Sequence, residues 1–444
     1  MRTTLLLFTF CLLSFQPINA QHAPPLSEEG WFEWRGEYHR GVVPTGNPPL
    51  NWSESENVKW KSAIPGTGHS TPIIRGDQII LLAAVPTDQK AEQSSVSGDA
   101  GNQGMSSGDT ETIHRFTVYS VDRRNGDIQW ATTVREQQPY SGNHQFGSWA
   151  SNSPVTDGEK IWANFGSYGL YCLDYAGNIL WEKELGRMEK RNSFGEGSSP
   201  VISGEKLIVL RDHEGPSHML VMNKQTGETL WETDRDEPSS WSTPLVVGYK
   251  GRNQLITSAS NKVRSYDLET GEIIWECAGL TSNVIPSPMY KDGRIYVMSG
   301  HRGNALMAID LSKAAGDITG TDAILFTFNQ NTPYTPAPVL MNDRLYFLRS
   351  NNGYLTCLNA IDGTPFYVNE KLEGISEIFT SPLGVADRLY VLGSNGTCVV
   401  VRSGDTFGVM ARNQLDDGFI ASPVVVGDEL FLRGNQYLYC IADQ

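Results

Sequence analysis

One phrase that ends in tryptophan returns several times along the chain. It reads "VDRRNGDIQW" at 121–130, "LDYAGNILW" at 173–181, "MNKQTGETLW" at 222–231 and "YDLETGEIIW" at 266–275. An Asp or Asn with a glycine three or four residues later is typical of a tight hairpin, because glycine supplies positive φ without a steric cost. A hairpin repeated in this way indicates one supersecondary unit that is used many times.

A second phrase repeats with the first: Ser or Thr (Ala337 in one case), then proline, an apolar run and a Gly or Asp turn. The phrase begins at eight places, with Pro72, Pro154, Pro200, Pro244, Pro288, Pro338, Pro382 and Pro423. Apart from the first gap, these prolines are 41 to 50 residues apart. This period is typical of propeller blades, so we predict an all-β, eight-bladed β-propeller.

Each unit reads as four short antiparallel strands, A to D. Proline suits the first residue of strand A, where no ladder donor is lost. The tryptophan near the end of each unit lies on strand D, where a large ring can be buried against the next blade. We therefore predict a blade-docking role for five residues: Trp60, Trp130, Trp181, Trp231 and Trp275.

The last unit stops just after "LYCIADQ" and has no strand D of its own. Near the start, "NVKWKSAIPG" at 57–66 resembles an orphan strand D and aligns with "NILWEKELG" at 178–186. We predict that this N-terminal strand completes the last blade and places Trp60 there, so that the propeller spans 57–444. Closure of the ring removes exposed sheet edges, and we expect a monomer.

The remaining segments are assigned by composition. Residues 1–20, with one basic residue, an apolar run and Ala20 at the end, are typical of a secretory signal peptide. Residues 21–56 form a lead-in that we expect to pack along the side of the propeller. The Ser-, Gly- and Gln-rich segment 86–112 predicts a disordered insertion between strands B and C of blade 1.

Charge and cysteine content limit the functional classes. The net charge of −15 argues against a nucleic-acid binder, and no later apolar stretch is long enough to span a membrane. We expect a secreted or periplasmic protein, cleaved near Ala20. Five cysteines remain, and they allow two interpretations, small buried hydrophobes at a repeat position or a disulfide set.

The phrases "LETGEIIW" and "KQTGETLW" resemble the tryptophan-docking motif of the pyrroloquinoline-quinone (PQQ) propeller repeat. The lead-in "WFEWRG" with "GVVP" is similar to that of secreted propellers of planctomycete-type bacteria. Two better-known groups of relatives have different functions. Quinoprotein alcohol dehydrogenases hold PQQ and calcium on the propeller axis, whereas BamB-like propellers act as scaffolds in outer-membrane assembly.

The dehydrogenase resemblance implies adjacent cysteines over the quinone, a calcium-binding set of carboxylates and amides, and an aspartate base. No Cys-Cys pair occurs in the sequence. We therefore assign no catalytic, cofactor-binding or metal-binding residues. We expect an exported, non-catalytic propeller that binds an envelope protein or an anionic glycan. The alternative is a PQQ-dependent dehydrogenase, with calcium, that oxidises an alcohol or a sugar.

Candidate ligand-binding residues lie near two kinds of connection. Arg211, Arg349 and Arg433 hold equivalent places at the end of strand B, and His301 and Arg302 lie in a B–C turn. Arginine can hold carboxylate or sulfate groups with two hydrogen bonds. Alternatively, each arginine pairs with an aspartate such as Asp212 or ties down its own turn. Trp149 and Trp241 precede strand A of blades 2 and 4, where a ring can stack on a ligand or pack at the mouth.

Overall fold

The structure is a computed structural model, and it describes residues 30–91 and 106–443. Eight sheets of four or five strands, each with four antiparallel strands, surround one axis, and a separate two-stranded ribbon pairs Ser106–Ser107 with Asn143–His144. Within the described ranges there is no α-helix, only three short 3₁₀ turns at Glu37–His39, Gly166–Tyr168 and Arg191–Ser193. The predicted all-β, eight-bladed propeller is confirmed.

Each blade is built from strands A to D, with strand A next to the axis. In blades 1 and 2 they are Ile73–Arg75, Gln78–Lys90, Thr112–Asp122 and Ile128–Gln137, then Val155–Thr156, Lys160–Asn164, Leu170–Asp174 and Ile179–Lys183. In blades 3 and 4 they are Val201–Ser203, Lys206–Arg211, Ser217–Asn223 and Thr229–Arg235, then Leu245–Tyr249, Arg252–Ser258, Val263–Asp267 and Ile273–Cys277. In blades 5 and 6 they are Met289–Lys291, Arg294–Ser299, Ala305–Asp310 and Ile324–Thr327, then Val339–Met341, Arg344–Leu348, Tyr354–Asn359 and Pro365–Lys371. In blades 7 and 8 they are Leu383–Val385, Arg388–Leu392, Thr397–Arg402 and Val409–Gln414, then Val424–Val426, Glu429–Arg433, Tyr437–Ile441 and, from the N-terminal side, Val58–Ala63.

The hydrophobic core lies between neighbouring blades. Strands A to C are buried on both faces, which is why their sequences are nearly continuous apolar runs. Ile80 of blade 1 and Ile161 of blade 2, for example, belong to one buried cluster. Strand D is the outermost strand, and it holds most of the exposed strand residues, interspersed with half-buried and buried ones. Each blade is therefore stable only when its neighbours cover its faces.

The ring is closed as the sequence predicts. Strand Val58–Ala63 pairs antiparallel with Tyr437–Ile441, with Trp60 opposite Cys440. Blade 8 thus takes three strands from the end of the chain and its outer strand from the beginning. This arrangement covers the edge of the last sheet with main-chain hydrogen bonds.

Four of the five predicted docking tryptophans act in the same way. Each ring lies against the glycine of the next blade's C–D hairpin, and Nε1 donates a hydrogen bond to a main-chain oxygen of that hairpin. For Trp60, Trp130, Trp181 and Trp231 the acceptors are Arg123, Tyr175, Lys224 and Leu268, at 2.8, 3.0, 3.2 and 3.1 Å. The repeated tryptophan therefore joins blades, including blade 8 to blade 1.

Trp275 differs because blade 5 has a longer C–D connection. A short strand of that connection, Gly316–Asp317, pairs in parallel with strand D of blade 4 and lies beside Trp275. The indole is fully buried among residues of blades 4 and 5, and its Nε1 donates to Gln254 within blade 4 at 3.1 Å. In blade 5 the ring that lies against the next hairpin glycine, Gly363, belongs to Phe326.

The docking contact predicts a specific cost at Gly126. The residue has φ +82°, and an added Cβ would clash with Oγ of Ser62 and would lie 2.6 Å from Cε3 of Trp60, both on the closing strand of blade 8. Gly158, with φ +89° and open space around its Cα, is the matched control. We expect Gly158→Ala to cost about 1 kcal/mol from backbone strain alone. Gly126→Ala should cost about 1–3 kcal/mol more, from overpacking against Ser62 and the Trp60 ring.

Urea denaturation of the two variants measures the difference. Equal losses of unfolding free energy would show that the closing strand, with Trp60 and Ser62, does not constrain the hairpin of blade 1.

The lead-in does not follow the side of the propeller, which corrects the sequence-based expectation. Gly30–Trp31 pairs with strand A of blade 1, and Val42–Val43 pairs in parallel with strand A of blade 7. Between them, the guanidinium of Arg35 donates to the main-chain oxygens of Pro382 and, at 2.6 Å, of Pro338. The segment crosses the axis because the inner edges of strands A have polar main-chain groups that need partners.

The boundaries of two other segments also change. Blades 1 and 7 each gain a fifth strand from the lead-in, so the propeller fold begins before residue 57. The 86–112 segment was predicted to be disordered, but strand B of blade 1 continues to Lys90 and pairs with Thr112. Long strands with cross-strand partners hold both ends of this insertion. Residues 92–105 and the predicted signal peptide lie outside the described residues.

Cys172, Cys277, Cys357, Cys398 and Cys440 are free and buried, which favours the interpretation as small hydrophobes. Burial raises the pKa of the Cys172 and Cys357 thiols to about 12. No helix within 30–91 and 106–443 is long and apolar enough to cross a membrane.

Candidate functional site: an aromatic cavity on the propeller axis

A cavity of about 410 Å³ lies on the axis, where all eight blades meet. Every connection that leads into a strand A contributes to its wall, and Asn351 of the B–C turn of blade 6 contributes as well. Trp34 of the lead-in also lines the cavity, and its Nε1 donates to Ser287 Oγ at 3.2 Å. The cavity therefore has the D–A connections around its mouth and the lead-in at its inner end.

The inner wall carries a circle of hydroxyl groups from the residue before the strand-A proline, which is Ser or Thr in seven blades and Ala337 in blade 6. In six cases the main-chain N–H of one blade donates to the hydroxyl of the next. The pairs are Thr71 to Ser153, Ser153 to Ser199, Ser199 to Thr243, Thr243 to Ser287, Ala337 to Ser381 and Ser381 to Ser422, at 2.9–3.2 Å. We call the six acceptors, Ser153, Ser199, Thr243, Ser287, Ser381 and Ser422, the hydroxyl ring.

The hydroxyl ring explains the Ser/Thr–Pro phrase. The six residues are at most 4 % exposed, and all of them line the cavity. Their hydroxyls accept main-chain hydrogen bonds, and within the described residues none of them donates one. A hydroxyl has one proton to donate besides its acceptor sites. The hydroxyl ring therefore joins neighbouring blades and leaves six donors beside the cavity.

Aromatic rings form the outer wall. They come from five D–A connections, and we call Phe146, Phe194, Trp241, Tyr334 and Phe379 the aromatic collar. Phe146 lies in the connection that leads into blade 2, and Phe379 lies in the one that leads into blade 7. Their rings are in contact, with centroids 4.6 Å apart. Trp241 is fixed by a hydrogen bond from Nε1 to Gly195 at 2.8 Å. Rings held in this way are rigid, so the cavity is largely formed before any ligand binds.

Two carboxylates line the cavity, Glu196 and Glu377. Glu196 accepts hydrogen bonds from the main-chain N–H of Ser167 at 3.0 Å and from its hydroxyl at 2.5 Å. Burial raises the pKa of Glu196, although the bonds from Ser167 and the charges of Arg211 and Lys190 act in the opposite direction. Glu196 is therefore a hydrogen-bond acceptor, and its negative charge is partly compensated by Ser167, Arg211 and Lys190 behind the cavity wall.

Lys190 lies beside the aromatic collar. Its Nζ donates to the main-chain oxygens of Asp212 and Ser240 at 2.7 and 2.6 Å and lies 4.6 Å from the centre of the Trp241 ring. Burial lowers the pKa of Lys190 to about 8. All these contacts are internal, so Lys190 fixes Trp241 and does not reach into the cavity.

His69 lines the cavity and has a pKa of about 4, lowered by burial and by the nearby charge of Arg433. Because the folded-state pKa is below the unfolded value of 6.5, the stability from the neutral ring is present above about pH 6.5. It is lost as the pH falls toward 4, by up to roughly 1.4 kcal/mol per pH unit. We expect His69→Gln to remove this part of the acid sensitivity.

Urea midpoints of the wild type and His69→Gln between pH 7 and pH 4.5 test this. His218→Gln is the control, because His218 lies on strand C of blade 3 and outside the cavity. Parallel pH profiles for the wild type and His69→Gln would contradict the assignment.

The three predicted arginines occupy equivalent positions, but they do not gather at the cavity. Arg211 is 1 % exposed and donates from Nη2 to Gly186, and Arg433 is 2 % exposed and donates from Nε to Gly68. Burial lowers the pKa of Arg433 to about 10. Arg349 is exposed, beside the ring of Tyr354. Asp212 pairs with Arg235, not with Arg211.

Of the other four predicted residues, only some lie at the cavity. His301 packs on Tyr334 of the aromatic collar, with centroids 4.7 Å apart, and Arg302 is exposed in the same turn. Trp149 packs edge-on against His114 and does not line the cavity. Trp241 does line it. The structure thus places one of the seven predicted ligand-binding residues in the cavity wall and one more directly behind it.

Most residues of the cavity wall were not predicted from the sequence, although their position relative to the strand-A proline marks them. The residue three places before each strand-A proline lines the cavity in all eight blades. These residues are His69, Ser151, Gly197, Trp241, Ile285, Thr335, Phe379 and Ile420. Their chemical variety hides the pattern unless the repeats are aligned on the proline.

The wall can be compared with what PQQ and calcium require. PQQ is a polycarboxylate, and such groups are held by arginine or lysine; calcium takes six or more oxygen ligands. No arginine or lysine is among the described residues that line the cavity. Within the same described ranges, no group of three His, Cys, Asp or Glu side chains could hold a metal ion. The residues that line this cavity do not fit an anionic quinone with calcium.

Comparison with solved structures supports the fold. BamB from Moraxella catarrhalis matches with a TM-score of 0.54 and 14 % identity, over 81 % of this chain and all of that one. Quinohemoprotein alcohol dehydrogenase from Comamonas testosteroni matches with a TM-score of 0.63 and 9 % identity, over 94 % of this chain and 81 % of that one. The computationally designed Ika8 protein matches with a TM-score of 0.52 and 12 % identity, over 76 % and 95 %.

None of the curated proteins matches the sequence. A family model does match, and its description is "Outer membrane protein assembly factor BamB". Its three overlapping matches, 42–215, 114–369 and 217–444, extend from the lead-in to the last residue. Together with the blade geometry, this shows that the chain belongs to the BamB-like family of PQQ-type β-propellers.

Proposed function

We propose that the protein is an exported, non-catalytic propeller that binds a ligand or a protein partner in the cell envelope. The observation that carries this proposal is the axial cavity. Its walls come from all eight blades, its inner end is lined by Trp34, and its aromatic collar is held in place by internal contacts. A rigid, largely apolar concave site with a few polar groups is the usual form of a binding site.

The location in the envelope is supported by two observations. Residues 1–20 have the composition of a signal peptide. The family model that matches the chain is described as an outer membrane protein assembly factor. In this proposal the D–A connections and B–C turns around the cavity mouth form the binding face. Loops carried by rigid blades are well suited to such a role.

The alternative function, a PQQ-dependent dehydrogenase, is favoured by the fold of one relative but not by the wall of the cavity. A quinone and calcium need cations and a set of hard oxygen ligands, whereas the wall offers mainly rings, hydroxyls and two separated carboxylates. We therefore place binding ahead of catalysis.

Site-specific photo-crosslinking in intact cells tests the binding face. A photoreactive residue at Gln145, which is exposed at the cavity mouth, should give a discrete crosslinked species. The matched control is Leu230, which is exposed on the outer strand of blade 3. Crosslinking from Leu230 alone would place the binding face on the rim of the propeller and contradict the proposal.

A further inference from the structure

The polar groups of the cavity wall divide into donors and acceptors. The hydroxyl ring provides six donors beside the inner part of the cavity. Nearer the mouth, the carboxylate of Glu377 accepts no hydrogen bond from any described residue, and the Nδ2 of Asn351 donates none. Asn351 itself is held in place, because its Oδ1 accepts from the main-chain N–H of Thr335 at 3.0 Å. A ligand that satisfies these groups needs both donors and acceptors on one small framework.

The apolar part of the wall adds a second requirement. The aromatic collar supplies ring surface from five connections, and ring surface favours a ligand with apolar C–H surfaces or rings of its own. In a cavity of about 410 Å³, near the lower end of the usual range for ligand pockets, one or two six-membered rings fit. A small cyclic ligand rich in hydroxyl groups meets both requirements.

Charge gives the third requirement. An anionic ligand would approach Glu196 and Glu377 without a described lysine or arginine in the wall to pair with it. A cationic ligand without acceptor atoms would pair with Glu377 but would leave the donors of the hydroxyl ring unsatisfied, and the charge of Glu196 is already partly compensated by Arg211 and Lys190. An unpaired charge in a partly buried site is unfavourable. An uncharged ligand avoids both penalties.

We infer that the axial cavity binds a neutral saccharide of one or two pyranose units. The rings of Trp241 and Phe379 stack on the C–H faces of the sugar, the carboxylates of Glu196 and Glu377 accept its hydroxyl protons, and the hydroxyl ring donates to its oxygens. This inference rests on the proposed binding role of the cavity and adds the chemical class of the ligand.

Calorimetric titration of the purified protein tests the inference. The probes are glucose, galactose, mannose, N-acetylglucosamine, cellobiose and maltose, with glucuronate as the charged counterpart of glucose and choline as an organic cation. We expect at least one neutral sugar to bind. We also expect glucuronate to bind at least tenfold more weakly than the neutral sugar of the same ring size.

Three variants locate the site. Trp241→Ala and Phe379→Ala should each weaken binding of that sugar at least tenfold. Glu377→Gln keeps the shape of a half-exposed side chain, should not affect folding, and should weaken binding about threefold to tenfold. Trp149→Phe is the matched control, since Trp149 lies outside the cavity wall, and should bind as the wild type does.

Binding of choline or glucuronate in preference to every neutral sugar would overturn the inference, as would the absence of any sugar binding. Equal binding by Trp149→Phe and the three cavity variants would also overturn it. These failures are distinguishable from failure of the proposed function. Without sugar binding, a crosslink from Gln145 would still support a binding face, whereas a crosslink from Leu230 alone would not.

Discussion

A chain that begins at Gly66 should aggregate or lose its cooperative unfolding transition. It lacks strand Val58–Ala63, so the main-chain groups of Tyr437–Ile441 have no outer partner. The contact of Trp60 with Arg123, which joins blade 8 to blade 1, is lost as well. An open ring exposes both a sheet edge and a blade face. We expect it to lose most of the about 5–15 kcal/mol that stabilises a typical folded domain.

A chain that begins at Asn51 is the matched control. It keeps the closing strand but lacks the part of the lead-in that crosses the axis, including Trp31 and Arg35. We expect it to remain monomeric and to unfold cooperatively at a lower urea midpoint than the full chain. Size-exclusion chromatography and urea denaturation measure both properties. The same midpoint for the Gly66 chain and the full chain would contradict closure by this strand.

Arg35→Ala should reduce the free energy of unfolding by about 3 kcal/mol. The guanidinium is 2 % exposed and donates to main-chain oxygens of blades 6 and 7, which are left without partners in the variant. Hydrogen bonds from charged donors contribute about 1.5–3 kcal/mol each. Burial of the charge, which lowers the pKa of Arg35 to about 9, offsets part of this gain. The empty space left by the side chain adds a further cost.

Arg40→Ala is the control, because Arg40 is half-buried and pairs with Glu37 in the same segment. A pair of this kind contributes less than about 1 kcal/mol. Urea denaturation of both variants at pH 7 gives the comparison. Equal, small losses for Arg35→Ala and Arg40→Ala would show that the lead-in is not anchored across the axis.

The blade architecture could be predicted from the sequence because it depends on local, repeated features. The hairpin glycines, the strand-A prolines and the docking tryptophans each act through contacts that recur from blade to blade. Even the closing strand was identifiable, since Trp60 lies in a phrase that aligns with Trp181. Trp275 departs from the rule only because the blade 5 connection adds a strand beside it.

The path of the lead-in could not be predicted in the same way. Its contacts are made once, between Arg35 and carbonyl groups more than 300 positions away along the chain. Nothing in its composition distinguishes a segment on the axis from one on the side. Arginine side chains are rarely buried, so the sequence alone would place Arg35 at the surface.

The candidate site was predicted poorly for a different reason. The arginines at the end of strand B form a visible pattern, yet two of them are buried and donate to main-chain oxygens. The residues that line the cavity share a position and not a chemical type, as Trp241, Ile285 and Phe379 illustrate. Their common feature is the distance to the strand-A proline, which has meaning only after the strands are arranged around an axis.

The most direct test of a non-catalytic binding role is titration of the purified protein with PQQ in the presence of calcium. Tryptophan fluorescence reports occupancy of the cavity through Trp34 and Trp241, and a dye-linked assay with alcohols and sugars reports oxidation. The arrangement of rings, hydroxyls and two carboxylates predicts no binding at micromolar quinone and no dye reduction. Micromolar binding of the quinone together with calcium-dependent oxidation of an alcohol or a sugar would contradict it.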